Sequence, residues 1–131
     1  MDNRVRQFLT HNHLATMATL RRDGTPHVVR CGVGLVGDEL WSSGTRTRLR
    51  TNHLRRDARA SLCVLPNRGG GWLGLDCRVT IHDGPDAVDR NLALYRVLAG
   101  EPDDLDEYRR AMVTEQRLIY EFGIERTYGE Y

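Results

Sequence analysis

The chain contains no lysine: all 19 of its basic side chains are arginine. It has only three cysteines, two tryptophans and two phenylalanines. No apolar run approaches the roughly twenty residues that cross a bilayer, so no membrane span is expected. Residues 1–10 carry Asp2, Arg4 and Arg6 and no apolar stretch, which argues against a signal peptide there. Cys31, Cys63 and Cys77 are odd in number and far apart, so they read as reduced core thiols of a cytoplasmic protein, not as a disulfide framework.

Several kinds of chemistry are missing as well. His11-Asn12-His13 has no cysteine or acid at ligand spacing, so it reads as a helix end and no metal is expected. Ser42-Ser43 lacks a nucleophile elbow, and Gly69-Gly70-Gly71 lacks the lysine of a P-loop. Gly32-Val33-Gly34 lacks the third glycine and the helix of a dinucleotide fingerprint. His27 heads the second strand and reads as a surface histidine beside a turn; the other reading has it facing a site. A chain without its own catalytic set suits a cofactor enzyme, in which the protein supplies binding, orientation and field.

What is present is a chain of 131 residues, 40% hydrophobic and 28% charged, with net charge +1 when histidine is neutral. That composition fits one globular domain spanning residues 1–131. So short a chain leaves little interior for a deep private site, which makes a site shared between two subunits worth considering. The near-neutral charge, and the absence of aromatic residues among the arginines, speak against a nucleic-acid partner.

Asp2 is placed to cap a helix running to about His11, with Val5, Phe8 and Leu9 on one face. Strands are expected at Leu14–Leu20 and Pro26–Leu35, joined by a hairpin at Arg21-Arg22-Asp23-Gly24. The second has an apolar face (Val29, Cys31, Val33, Leu35) and a face of little bulk that includes Arg30, Gly32 and Gly34. Further strands are expected at Glu39–Ser43, Ala60–Leu65, Trp72–His82 and Leu118–Ile124. Helices are expected at Arg48–Arg56, at Pro85–Leu98 with a stripe of Val88, Leu92, Tyr95 and Leu98, and at Leu105–Glu115 behind an acidic start. Six strands with hairpin-like early connections predict an α+β fold, an antiparallel barrel flanked by helices.

The most informative stretch is Ser42-Ser43-Gly44-Thr45-Arg46-Thr47-Arg48-Leu49-Arg50-Thr51. With Thr47 as N-cap, Arg48 and Arg50 fall in the first helical turn, where the helix dipole disfavours cations. No carboxylate occurs between Glu39 and Asp57. An anion would resolve the conflict. Helix-start N–H groups, the hydroxyls of Ser43, Thr45 and Thr47, and two guanidinium forks would make a phosphate cradle, with Gly44 letting the backbone approach. The alternative is a solvated charge run whose arginines pair with acids elsewhere. The exclusive use of arginine is open in the same way: GC-rich coding and selection for bidentate phosphate binding both produce it.

Several segments together resemble one family. Ala18-Thr19-Leu20-Arg21-Arg22-Asp23-Gly24-Thr25-Pro26-His27 resembles the first hairpin of the pyridoxamine phosphate oxidase-like, FMN-binding split-barrel superfamily. Arg50-Thr51-Asn52-His53-Leu54-Arg55-Arg56-Asp57-Ala58-Arg59-Ala60-Ser61 resembles its phosphate-binding helix and following strand. Leu94-Tyr95-Arg96, Ala99-Gly100-Glu101 and the segment Tyr108–Thr114 are similar to the two-helix insertion of its F420-dependent branch. The resemblance implies a six-stranded split β-barrel and a homodimer with cofactor sites at the subunit interface. It implies that Arg48 and Arg50, with Thr51, hold the cofactor phosphate, Arg50 standing where the family often has lysine. Ser43, Gly44 and Thr45 match the segment beside the cofactor ring. Val29 and Arg30 match positions near the ring edge, where the family more often has small polar residues. Arg30 pointing inward could stabilise charge on a reduced substrate; otherwise it faces solvent. Trp72 matches an aromatic residue reaching the site from the other subunit, and it reads equally as an edge-strand or interface anchor.

The implied function is an F420-dependent oxidoreductase that reduces a small conjugated organic substrate: a biliverdin-like tetrapyrrole, a quinone or an enone. The alternatives are an FMN-dependent oxidase or reductase on the same fold, or a non-catalytic carrier of F420 or flavin.

Overall fold

The computed structural model describes all residues, 1–131. The elements run α1 (Asn3–His11), β1 (Leu14–Leu20), β2 (Pro26–Gly32), β3 (Gly34–Val36), β4 (Glu39–Thr45), α2 (Leu49–Arg56), β5 (Arg59–Leu65), β6 (Trp72–His82), α3 (Ala87–Ala99), α4 (Leu105–Thr114) and β7 (Arg117–Glu130). All strand pairs are antiparallel, in the order β2-β1-β5-β6-β7-β4-β3. No helix is long and apolar enough to cross a membrane.

Local chemistry explains the ends of the elements. The Asp2 carboxylate accepts from the N–H groups of Arg4 and Val5, at 2.7 and 3.4 Å, and α1 buries Val5 and Leu9. Asp23 accepts from the Thr25 N–H at 3.0 Å and Gly24 takes φ +88°, which closes the β1–β2 hairpin. Asp104 accepts from the Glu107 N–H at 3.0 Å and starts α4.

There are seven strands, not six. The expected strand Pro26–Leu35 breaks at Val33, whose N–H donates to His13 O at 2.8 Å. Before the break the chain pairs with β1; after it, with β4. The two parts stand at opposite ends of the hydrogen-bonded order, so this single chain segment brings the ends of the curled sheet together. Across the gap, the Ser42 hydroxyl donates to Gly32 O at 2.6 Å.

Other boundaries move for equally local reasons. β7 runs six residues past Ile124 because β6 offers it a ladder as far as Trp72↔Glu130. A register shift between Asp76 and Cys77 leaves Glu125 as the extra residue of a bulge. Arg48, not Thr47, is the N-cap of α2, and no side chain caps that end. α3 buries Ala87, Asn91, Leu92 and Leu94, a face rotated from the expected stripe. Asn91 turns inward because its carbonyl accepts from the Ser43 hydroxyl at 2.5 Å, while its amide donates to Ala87 O at 2.9 Å.

The core lies inside the curl. Val5 and Leu9 of α1 pack there with Met17, Leu62, Val64, Leu73, Leu75, Leu118, Tyr120 and Phe122. Cys31 and Cys77 are buried, and burial, with Asp76 and Glu125 nearby, pushes the Cys77 thiol up to about 12. Cys63 is only half-buried, since alternate residues of β5 face away from the core, which corrects its reading as a core thiol.

His27 is half-buried rather than a surface residue. Its ring meets the buried His53 ring edge-on at 5.2 Å, and its Nδ1 has no hydrogen-bond partner. Burial and the neighbouring His27 hold His53 below the usual histidine range.

The tightest packing lies between β4, β7 and α2. Thr51, fully buried, donates its hydroxyl to Thr45 O at 2.6 Å and meets the Tyr120 hydroxyl. Tyr120 lies so close to Gly44 that a Cβ there would overlap the phenol. Gly44→Ala is therefore expected to lower stability by roughly 1–3 kcal/mol in urea unfolding. Gly70→Ala, where a Cβ meets nothing within 4 Å, should stay within about 0.5 kcal/mol of wild type.

Candidate cofactor site

The split in the sheet opens a cleft of about 590 Å³, within the size range of small-molecule sites. One wall comes from β2, with Arg30, Cys31 and Gly32. Ser42 and Ser43 of β4 form its base, and Arg48 and Arg50 stand at the start of α2. His13, Leu14, Asn67 and Leu98 complete it. No acidic side chain lines it.

The three guanidiniums of the cleft have no carboxylate partner, whereas ten other arginines of the chain form ion pairs. Arg46 shows the contrast: with Arg55 it binds Asp83, at 2.7 and 2.8 Å. The charge-run reading thus describes Arg46 and fails to describe Arg48 and Arg50. Arg50 is only 7% exposed, its Nε has no partner, and its guanidinium lies 5.8 Å from the centroid of the Tyr120 ring. Desolvation, with Arg50 and Arg117 nearby, pulls Arg48 below the ordinary arginine range. A buried cation over an aromatic ring, beside a second cation at the electropositive end of a helix, leaves positive charge without a counter-charge from the protein.

The other residues singled out in the sequence separate into two groups. Ser43 and Arg30 line the cleft; Arg30 is exposed and reaches it from the low-bulk face of β2. Thr45, Thr51 and Gly44 do not line it; they are the packing layer beneath α2, and Gly44 is glycine because of Tyr120. Val29 is half-buried against the core. Trp72 lies outside the cleft at the start of β6, 37% exposed, its ring edge-on to Tyr128 at 5.9 Å.

Five residues of the cleft, His13, Leu14, Cys31, Asn67 and Leu98, carried no sequence signal strong enough to find them. His13 and Asn67 come together because the Asn67 N–H donates to the Asn12 side chain at 2.9 Å and the Asn67 amide donates to His11 O at 2.8 Å. Leu98 arrives on α3, and Cys31 lies at the cleft although it also belongs to the core. Burial raises the Cys31 thiol, against the opposing pull of Ser42 and Arg50. A second cavity of about 260 Å³ adjoins through Ser43 and Leu98, lined by Leu94, Tyr95, Tyr108 and Met112 among others.

An antiparallel sheet curled around its core, with a basic cleft at the split and helices outside, defines a split-barrel fold. The chain belongs to the pyridoxamine 5'-phosphate oxidase family, whose N-terminal domain pattern matches residues 1–128. It is similar to an F420H(2)-dependent biliverdin reductase of Mycobacterium tuberculosis, with 28% identity over 128 residues, covering 93% of this chain and 82% of the relative. Among solved structures, it resembles a conserved hypothetical protein of Mycobacterium tuberculosis with TM-score 0.83 and 19% identity, covering 99% of this chain and 84% of the other. It also resembles an F420 reductase with TM-score 0.74 and 19% identity, covering 94% of each chain.

The unpartnered Arg50 has a thermodynamic consequence in the empty protein. Arg50→Met keeps the buried stem and removes the uncompensated charge. It is expected to raise the stability of the ligand-free protein by about 1 kcal/mol, measured by urea unfolding in a buffer without phosphate or sulfate.

Proposed function

We propose that this protein is an F420-dependent reductase that passes a hydride from the reduced deazaflavin to a small conjugated organic substrate. The observation that carries this reading is the buried, unpartnered Arg50 beside Arg48 in a cleft without acids. Two guanidinium forks and a helix start suit a phosphate group of a flavin-type cofactor. The likeness to an F420H(2)-dependent biliverdin reductase supports the deazaflavin over other phosphate-bearing flavins. It also favours a biliverdin-like tetrapyrrole among the substrates, ahead of quinones and enones.

In this reading Arg48 and Arg50 hold the phosphate, Ser43 lies beside the ring, and Arg30 faces the anionic part of cofactor or substrate. Thr51, Thr45 and Gly44 act by holding α2 and β4 in place, and Val29 by supporting Arg30 from the core side. The cofactor supplies hydride chemistry; the cleft residues bind and orient. The three free thiols support a cytoplasmic place of action.

Fluorescence titration with F420 and with FMN, side by side, tests the assignment. Each charge-assisted contact contributes about 1.5–3 kcal/mol, so Arg50→Ala is expected to weaken F420 binding about tenfold to a hundredfold. Tighter binding of FMN than of F420 by wild type would move the assignment to the flavin. Binding without turnover of any conjugated acceptor would make the protein a carrier. Unchanged affinity in both Arg48→Ala and Arg50→Ala would overturn the phosphate assignment.

The reading includes a homodimer. The cleft is open, and the neighbouring edge strand β2 leaves Val28 61% exposed, an apolar surface that a second copy would cover. Trp72, away from the cleft of its own chain, is then free to serve that of a partner. Light scattering at micromolar concentration is expected to give the mass of two chains; a stable single-chain species would overturn this part.

A further inference from the structure

His13 is the cleft residue that neither packing nor phosphate binding accounts for. Its neighbours in the His11-Asn12-His13 segment are structural. His11 Nδ1 bonds Gln7 O at 2.9 Å, and the Asn12 side chain donates to Phe8 O at 2.9 Å, closing α1. His13 comes next, at the cleft, with its Nδ1 3.0 Å from Val33 O. A carbonyl oxygen only accepts, so Nδ1 carries a hydrogen and donates it. The tautomer is thereby fixed and Nε2 becomes the nitrogen that exchanges a proton. Nε2 takes no partner within the protein. The Val33 carbonyl belongs to the residue at which the sheet changes edges, and its N–H is bonded back to His13 O, so ring and backbone hold each other.

We infer that His13 is the proton donor of the cleft, an assignment that rests on the reductase reading above. Reducing a conjugated acceptor requires two electrons and two hydrogens. The reduced deazaflavin supplies both electrons and one hydrogen as hydride. The acceptor is then an enolate or an equivalent nitrogen or oxygen anion, one proton short of product. The His13 imidazolium gives its Nε2 hydrogen to that anion: the N–H bond breaks, a C–H, N–H or O–H bond forms on the acceptor, and His13 regains a proton from water. No other side chain of the cleft serves this role as well. A guanidinium is too weak an acid to serve as proton donor near neutrality, the Cys31 thiol is raised by burial, and Leu14, Gly32, Ser42, Ser43, Asn67 and Leu98 carry no acidic side chain. The charged side chains that line the cleft with His13 are Arg30 from β2 and Arg48 and Arg50 at the start of α2, with none from β1, α3 or the Asn67 loop.

His13→Asn is the discriminating variant, because its side-chain amide can still donate toward Val33 O while the Nε2 function is gone. Its F420 affinity, read by fluorescence titration, should stay within about twofold of wild type. Its kcat for biliverdin, menadione or cyclohex-2-enone should fall by about a hundredfold, and the decline of wild-type kcat with rising pH should disappear. His11→Asn, outside the cleft, should match wild type. A readout without turnover accompanies these: the His13 Cε1–H resonance, followed by NMR at fixed pH, should shift when F420 fills the cleft. Wild-type kcat and pH profile in His13→Asn, or an unmoved resonance in the F420 complex, would overturn the donor assignment and leave the reductase reading standing. Failure of wild type to bind either F420 or FMN would remove the reductase reading and this inference together.

Discussion

One phenol determines much of the geometry around the cleft. Tyr120 rises from β7 into the angle between β4 and α2, fully buried, with its hydroxyl on that of Thr51. Thr51 in turn donates to Thr45 O, so the first turn of α2 is tied to the end of β4 from below. The same phenol excludes any side chain at position 44, which lets β4 pass flat against β7 with Gly44 opposite Leu118. Above the ring sits the guanidinium of Arg50. A residue that would otherwise extend into solvent is held more than nine-tenths buried, in the lining of the cleft.

That placement runs against local preference, and the conflict is informative. α2 begins without a side-chain cap and without an acidic residue in its first turn, and it begins with Arg48 and Arg50. Each choice is unfavourable to an isolated helix. Packing through Thr51 and Leu54 supplies what the helix end lacks, since both are buried against the sheet. Natural chains tend to break several local rules together at functional sites. Here the broken rules share one sign of charge, and the groups that would relieve them, carboxylates, are absent from the cleft while Asp83 serves Arg46 and Arg55 nearby.

Much of the fold was legible from local signals. Asp2 and Asp23-Gly24 marked their cap and turn correctly, and the acidic start expected before the last helix supplies Asp104 as its cap, because each acts through its own backbone neighbours. β1 and β6 matched at both ends. The misreadings came where distant partners decide. Gly32-Val33-Gly34 is apolar and alternates like one strand, and only the exchange of pairing from β1 to β4 breaks it. Glu125 to Glu130 looks too polar for a strand, yet β6 gives it a ladder. Asn91 was passed over for the apolar Tyr95 and Leu98, since nothing near it in sequence announces the Ser43 hydroxyl. The site followed the same division. Arg48, Arg50 and Ser43, singled out within their own segment, line the cleft together, whereas His13 and Asn67 meet only through contacts across more than fifty residues. At Gly44 a side chain would overlap the Tyr120 phenol, a packing demand that its own segment does not announce.

The two glycines of the β2–β3 junction show how the cleft gets its shape. Both were read as one low-bulk face, and the structure uses them differently. At Gly34 the end of α3 fills the space, with Val97, Leu98 and Leu94 within 3.1 to 3.3 Å of where a Cβ would stand. At Gly32 the tip of Leu98 approaches to 3.6 Å and the His13 carbonyl oxygen to 3.9 Å, and Gly32 lines the cleft. α3 therefore closes one side of the split and stops at the other, with Leu98 as the boundary between the basic cleft and the more apolar cavity under α3 and α4. A curled sheet alone would leave a bare gap between its ends. The helical insertion turns that gap into two adjoining spaces of different character, one able to hold an anion and the other lined by tyrosine, leucine and methionine. Ser43 and Leu98 line both spaces, so the basic and the more apolar surfaces meet along one shared edge.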